Sequence, residues 1–222
     1  MLARRFLILL LVPFCLAMPS LSGFGQPQVS DDDYLRWTGK QVESIGTAAY
    51  RRGRVGGVFD TRFLKTERSY NYKLAATWLT PEAIRATARM LQLRSRLPEA
   101  ETRQLVAEAE AIQGTVIIVE VDPREGSGVI PSDWEAFLQP KGSPARAVRG
   151  TSSPHLRDVK ALAGVLRRNY DYDRFWVTFP LKKDGVSVLA DTDLNAELIV
   201  RIHEKEGRIE WPVSGSVRAL AR

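Results

Sequence analysis

Four consecutive β-branched residues, Val116-Ile117-Ile118-Val119, constrain the fold of this chain more than any other stretch. β-Branched side chains favour extended backbone. Successive side chains of a strand point to opposite faces, so an unbroken apolar run needs cover on both. Thr115 to Val121 is therefore expected to be a strand buried above and below.

Its neighbours suggest what covers it. Ser69 to Leu79 is rich in tyrosine and small residues and reads as a strand. Thr80-Pro81-Glu82 opens a helix with a hydroxyl cap, proline at the first helical position and an acid in the first turn. Ile84, Ala88 and Leu91 follow at helical spacing. Leu97-Pro98-Glu99 opens a second helix, with Leu105, Ala109 and Ile112 expected on its core face and Glu99 four residues from Arg103. Further on, Trp134 to Gln139 is either a strand or a helical turn capped by Ser132, and Ala145 to Gly150 is a possible strand. Leu156, Val159, Ala163 and Leu166 predict a third helix to about Arg168. Arg174 to Leu181 is a strand with Phe175, Val177 and Phe179 on one face and Trp176 on the other. Ala196 to Arg201 and Arg208 to Val213 form a hairpin, with Leu198, Val200 and Ile202 sharing a face with Ile209, Trp211 and Val213.

Short strands separated by turns, with helices inserted, predict the α+β class: an antiparallel β-sandwich-like core with an inserted helical hairpin. An open sheet covered on one side by helices is the alternative. The organisation expected is a leader at 1–25, an N-terminal helix and basic glycine-rich connection at 26–66, the β core at 67–213 with its hairpin at about 81–113, and a tail at 214–222. The helix is expected to start at Asp32 or Asp33 and to run through Val42 and Ile45.

The order of these elements resembles that of uncharacterised exported bacterial proteins. The resemblance rests on Trp78-Leu79-Thr80-Pro81-Glu82, the helical hairpin, the strand at Thr115 to Val121 and Arg174-Phe175-Trp176-Val177-Thr178-Phe179-Pro180. It covers Ser69 to Val213 and implies no activity.

Met1 to Gly25 has the pattern of a secretory signal. Arg4 and Arg5 precede an apolar stretch from Phe6 to Met18, and small residues follow. Pro13 interrupts the stretch, which falls short of the roughly 20 residues of a membrane span. The expectation is an exported, periplasmic or extracellular protein with no transmembrane anchor after cleavage. Cys15 is the only cysteine, and bulky Phe14 before it argues against lipidation. The mature chain would then carry no disulfide and no cysteine nucleophile, so its core alone must hold it together. Loss of Arg4 and Arg5 lowers the formal charge from +6 to +4. That mild excess lacks the basic stripe of a nucleic-acid binder.

Residues suited to chemistry are sparse. His155 and His203 are too few for a zinc site, and no metal or other cofactor is expected. Ser127 lies in Gly126-Ser127-Gly128, one residue short of a nucleophile elbow. Asp191-Thr192-Asp193-Leu194-Asn195 begins like a calcium loop, but Ala196 and Ile202 stand where the glycine and bidentate glutamate are required. It reads as a turn before a strand, and no catalytic residue is assigned. Two clusters are candidate binding sites. Arg51, Arg52 and Arg54 among glycines suit an anionic headgroup. Tyr170, Asp171, Tyr172 and Asp173 alternate phenols and carboxylates beside an aromatic strand, with an Asp173–Arg174 pair as the structural alternative. Trp37, Trp78, Trp134, Trp176 and Trp211 are expected to be mostly core.

The function expected is a non-catalytic envelope module that binds an envelope protein or polymer. The alternatives are an envelope hydrolase using Asp171 and Asp173, and a peripheral binder of anionic lipid. N-terminal sequencing of the protein from an envelope fraction should place its first residue between Ser20 and Gln26. An intact Met1, or lipid on Cys15, would contradict the leader.

Overall fold

The computed structural model describes residues 32–53, 71–124, 133–166, 173–202 and 205–220. The chain divides into two units, Met1–Ser30 and Asp31–Arg222, and all described residues belong to the second. The stretch expected to be a leader, with Cys15, therefore lies outside the described residues. So do Arg54, Gly126-Ser127-Gly128, Ser132, Tyr170 to Tyr172 and His203.

The class is α+β. Helices α1 (Gly39–Arg52), α2 (Pro81–Ser95) and α3 (Glu99–Glu110) come early, and the short α4 (Gly215–Leu220) comes last. The first sheet has the order β1-β2-β6-β5, made of Asn71–Leu79, Thr115–Arg124, Asp173–Phe179 and Thr151–Ser152. The second has the order β10-β9-β3-β4, made of Lys205–Pro212, Asn195–Ile202, Glu135–Pro140 and Val148–Arg149. β7 (Lys182–Lys183) and β8 (Val186–Ser187) form a separate small hairpin. Every pairing is antiparallel. Among the described residues no helix is long and apolar enough to cross a membrane.

β2 is the inner strand that its apolar run predicts. It lies between β1 and β6, in register at Ile117↔Trp78 and Ile117↔Val177. Ile117, Val119 and Val121 join a cluster that includes Trp78 and Phe179 from the first sheet and Leu138, Leu198, Val200 and Trp211 from the second. Val116 and Ile118 face the other way, into a cluster with Ile84, Ala88, Val106, Ala109 and Trp176. One face of the first sheet thus meets the second sheet and the other meets α2 and α3. The Trp78 and Trp211 rings, 5.6 Å apart, join the sheets directly. Trp78 Nε1 donates to Thr115 Oγ1 at 2.8 Å, so its polar edge is satisfied inside the core.

The chain passes from one sheet to the other at Gly150. β4 belongs to the second sheet and β5 to the first, with this single residue between them. Gly150 N donates to Ala136 O (2.8 Å), and Ser153 N donates to Trp176 O (2.7 Å). A Cβ at Gly150 would run into Val177 and would lie 2.6 Å from the Phe179 ring. Only glycine lets the corner pass this close to β6.

The helical hairpin forms as expected. Thr80 Oγ1 accepts from Ala83 N at 3.3 Å, and Arg103 pairs with Glu99 at 3.1 Å. The buried positions of α3 are Thr102, Val106 and Ala109, while Leu105 and Ile112 pack at the margin, partly buried.

Four expectations need correction. The N-terminal helix does not run unbroken from Asp33, because a 3-10 turn (Asp33–Arg36) precedes α1. Thr38 stops the turn by forming a capping box: Gln41 N donates to Thr38 Oγ1 (3.3 Å) and Thr38 N donates to Gln41 Oε1 (2.8 Å). The third helix is instead two 3-10 segments, Pro154–Asp158 and Lys160–Leu162, separated by extended Val159. Leu156, Val159 and Leu162 are spaced by three, which suits a 3-10 turn as well as an α-helix. Ala145 to Gly150 holds only the two-residue β4 after a 3-10 turn (Pro144–Arg146). The tail is helical from Gly215, where Val217 is fully buried and Val217 N reaches Ser214 Oγ at 3.4 Å. Trp134 to Gln139 resolves as strand β3.

Replacing Gly150 with Ala should overpack the sheet junction and cost about 1–3 kcal/mol in denaturant unfolding. An unchanged midpoint would show that the corner does not need glycine.

Candidate functional site

Strand alternation carries the helix-facing side of β2 from Val116 and Ile118 to Glu120. Across the ladder Glu120 stands opposite Arg174, the second residue of β6. Arg174 Nε donates to Glu120 Oε1 at 2.9 Å. The Glu120 side chain is 2% exposed and that of Arg174 is 29% exposed. Burial pushes the Arg174 guanidinium below its ordinary pKa. The pair lines a shallow cleft with little enclosed space, together with Tyr50 of α1, Thr77 and Leu79 of β1, Ala83 of α2, Ile118, and Ala163 to Leu166. The Thr87 hydroxyl on its wall donates to Ala83 O at 2.8 Å. α1 approaches closely here because Gly46 leaves room for Val165, which its Cβ would otherwise strike. The sequence reading missed this pair. Alternation and an acid ending an apolar strand were the available signals.

A second ion pair is fully spent on structure. Arg146 Nη1 and Nη2 reach Asp193 Oδ2 and Oδ1 at 2.7 and 2.8 Å. Asp193 Oδ2 also accepts from Ala190 N at 2.7 Å, and Arg218 Nη2 donates to Asp193 O at 2.7 Å. The stretch with the calcium-loop resemblance is therefore a turn before a strand, tied by its own acid. Among the described residues no group of three or more His, Cys, Asp or Glu is placed to hold a metal.

On the face of the second sheet turned away from the shared core, charge alternates across the strands. Glu135, Arg201 and Glu206 share one row, and Arg149, Phe137, Ile199 and Arg208 share the next. Gln139, Glu197 and Glu210 form the third. Arg201 Nε reaches Glu206 Oε2 at 2.7 Å, Arg208 reaches both Glu206 and Glu197, and Arg149 reaches Glu135 at 2.9 Å. The Arg201 guanidinium carbon lies 5.2 Å from the Phe137 ring centroid. Burial raises the Glu206 pKa, but Arg201 and Arg208 together hold it below the ordinary value.

The residues expected from sequence are dispersed or outside the described residues. Arg51 and Arg52 are exposed in the last turn of α1, where cations suit the helix dipole. Their companion Arg54 is outside the description, as are Tyr170, Asp171 and Tyr172. Asp173 is exposed at the start of β6, opposite Val121. The Asp173–Arg174 pair does not form, because neighbours on a strand point apart and Arg174 turns to Glu120. His155 is exposed in a 3-10 turn. Trp78, Trp176 and Trp211 are core; Trp134 packs on Phe175 at 4.9 Å between ring centroids. Comparison with protein-family models, curated proteins and solved structures finds no match for the chain.

The Arg146 hydrogen bond to Asp193, the largest influence, holds the Asp193 carboxyl below its ordinary pKa. A depressed folded-state pKa contributes stability above the unfolded value, and that stability is lost as pH falls through the folded value. Asp193→Asn should cost about 1.5–3 kcal/mol at neutral pH. The gap to the parent protein should narrow below about pH 4. A gap independent of pH would show that the carboxylate charge contributes nothing.

Proposed function

We propose that this chain is an exported, non-catalytic module of the bacterial envelope that binds a partner protein through the charged outward face of its second sheet. The carrying observation is the middle of that face, where the half-buried Phe137 lies in one row with Arg149 and Arg208 and with Arg201 over its ring. Arginine and aromatic side chains are enriched where proteins bind one another. The flanking Glu135, Glu197 and Glu206 hold the guanidiniums in place, and Glu210, paired with Lys141, extends the charged rim. A partner with alternating charge would exchange these exposed pairs, each contributing about 0–1 kcal/mol, for buried ones at little cost to the fold. The leader-like Met1 to Gly25 supports the compartment.

A photocrosslinking side chain placed at Glu210, and a control at Glu108 on the exposed side of α3, tests the reading in intact cells. The expected result is one discrete adduct from Glu210, none from Glu108, and loss of the adduct when Arg201→Glu is added. Thermal unfolding of the Arg201→Glu protein should stay near that of the parent. Equal adducts at both positions, or an adduct indifferent to Arg201→Glu, would overturn it. Turnover of envelope glycans or esters that disappears in Asp171→Asn/Asp173→Asn would replace it with the hydrolase reading. Anionic-vesicle binding lost in Arg51→Ala/Arg52→Ala would replace it with the lipid reading.

A further inference from the structure

β10 is an edge strand, with alternate backbone groups directed away from its sheet. Val213 N donates to Leu194 O at 2.9 Å, so the bonded pairs of the β10–β9 ladder continue as Trp211–Ala196, Ile209–Leu198 and Gly207–Val200. Lys141 N donates to Asn195 O at 3.0 Å, which turns the alternate residues of β9 toward β3 and agrees with that phase. The N–H and C=O groups of Glu206, Arg208 and Glu210 therefore point to the outer edge, and among the described residues no backbone bond reaches them. The edge of the first sheet at β1 differs, because Ala76 N there donates to Gly53 O at 2.7 Å. We propose that β10 pairs with β10 of a second copy of this chain, antiparallel and centred on Ile209, joining the two second sheets into one.

The order of charges selects both the occupant and the register. An unpaired edge is a template for another strand, and charges usually guard it. Here the exposed residues with outward backbone groups alternate as Glu206, Arg208 and Glu210, a pattern complementary to itself. Identical edges related by a two-fold axis pair antiparallel, and their bonded pairs must join outward-directed residues. With the axis at Ile209, each Arg208 stands opposite Glu210 of the other copy. Glu206 then stands opposite Pro212, whose missing N–H falls at the end of the ladder. Moving the axis to Arg208 sets Arg208 against itself and Glu206 against Glu210. Moving it to Gly207 shortens the overlap to Lys205–Ile209. Within one copy Arg208 bonds Glu206 and Glu197, and Glu210 bonds Lys141 and Asn195. Arg208 and Glu210 are exposed, so these pairs are weak enough to be shared across the junction. The inference concerns the edge of β10 and does not rest on the partner-protein reading.

Sedimentation equilibrium of the purified protein, with amide exchange followed along β10, tests it. A dimer should form between about 1 and 500 µM. The Arg208 and Glu210 amides should exchange quickly in dilute protein and at least about tenfold more slowly in concentrated protein, while Gly207 and Ile209 stay slow throughout. Arg208→Glu and Glu210→Arg should each be monomeric, because each sets like charges opposite one another twice. An equimolar mixture of the two should dimerise, since every arginine then faces a glutamate across the junction. A probe at Glu210 would also give a self-adduct of twice the chain mass, scored apart from any partner adduct. Arg201→Glu should leave this dimer intact, so the two readings fail separately. A monomer at every concentration, Arg208 and Glu210 amides already protected in dilute protein, a dimer indifferent to both charge reversals, or a mixture that stays monomeric would each overturn the proposal.

Discussion

The double cover of β2 is the constraint on which the other elements depend. Val116 to Val119 are all buried, on a strand with neighbours on both sides. Each side chain of this size contributes about 1.5–3 kcal/mol when fully removed from water. Leaving either face wet would forfeit half of that. The chain therefore has to place one layer on Ile117, Val119 and Val121, and another on Val116 and Ile118. The second sheet takes the first role and the helical hairpin the second. Glu120 follows from the same geometry. It is the next residue on the helix-facing side after Ile118, and an acid buried there needs a cation on the adjacent strand. Arg174 stands at that register position.

A layered core of this kind needs a junction between its sheets, and the sequence pattern around the junction is weak. β4 and β5 have two residues each, too few for periodicity to show. Their placement comes from long-range bonds, Gly150 to Ala136 and Ser153 to Trp176. The second sheet shows the complementary case. Along β9, Ala196, Leu198, Val200 and Ile202 are buried in the shared core, whereas Glu197 and Arg201 face outward on either side of a buried Ile199. A sheet packed on one face alternates, and a sheet packed on both does not. The charges at Glu197 and Arg201 thus set β9 apart from the unbroken apolar run of β2.

That rule explains what was legible. β1, α2, α3, β2, β6 and the β9–β10 hairpin carry strong periodicity or capping signals, and they form within a few residues of where those signals place them. The third helix failed because apolar residues spaced by three fit two helical periods. Trp176 Nε1 then takes the Leu162 carbonyl at 3.0 Å in the arrangement that forms. The α1 start failed because Asp32 and Asp33 look like caps as much as Thr38 does, and only the reciprocal Thr38–Gln41 bonds decide between them. The Glu120–Arg174 pair was illegible for a different reason. Its members are 54 residues apart, and their pairing depends on the β2–β6 register. Attention fell on Asp173 beside Arg174, although adjacent residues on a strand cannot share a face.

The two arginine–carboxylate pairs show why hydrogen-bond accounting separates a structural contact from one with chemical capacity left over. Arg146 sends Nη1 to Asp193 and Val188 O, and Nη2 to Asp193 and Ser143 Oγ. Its fork closes on the protein, and the result is a fastened loop. Arg174 makes a single bond through Nε, although it is the more buried of the two. Desolvating a guanidinium costs several kcal/mol unless its donors find partners, and an apolar pair at these two positions would avoid the cost. A cation with four of its five N–H donors unbonded among the described residues is therefore a costly way to join two strands.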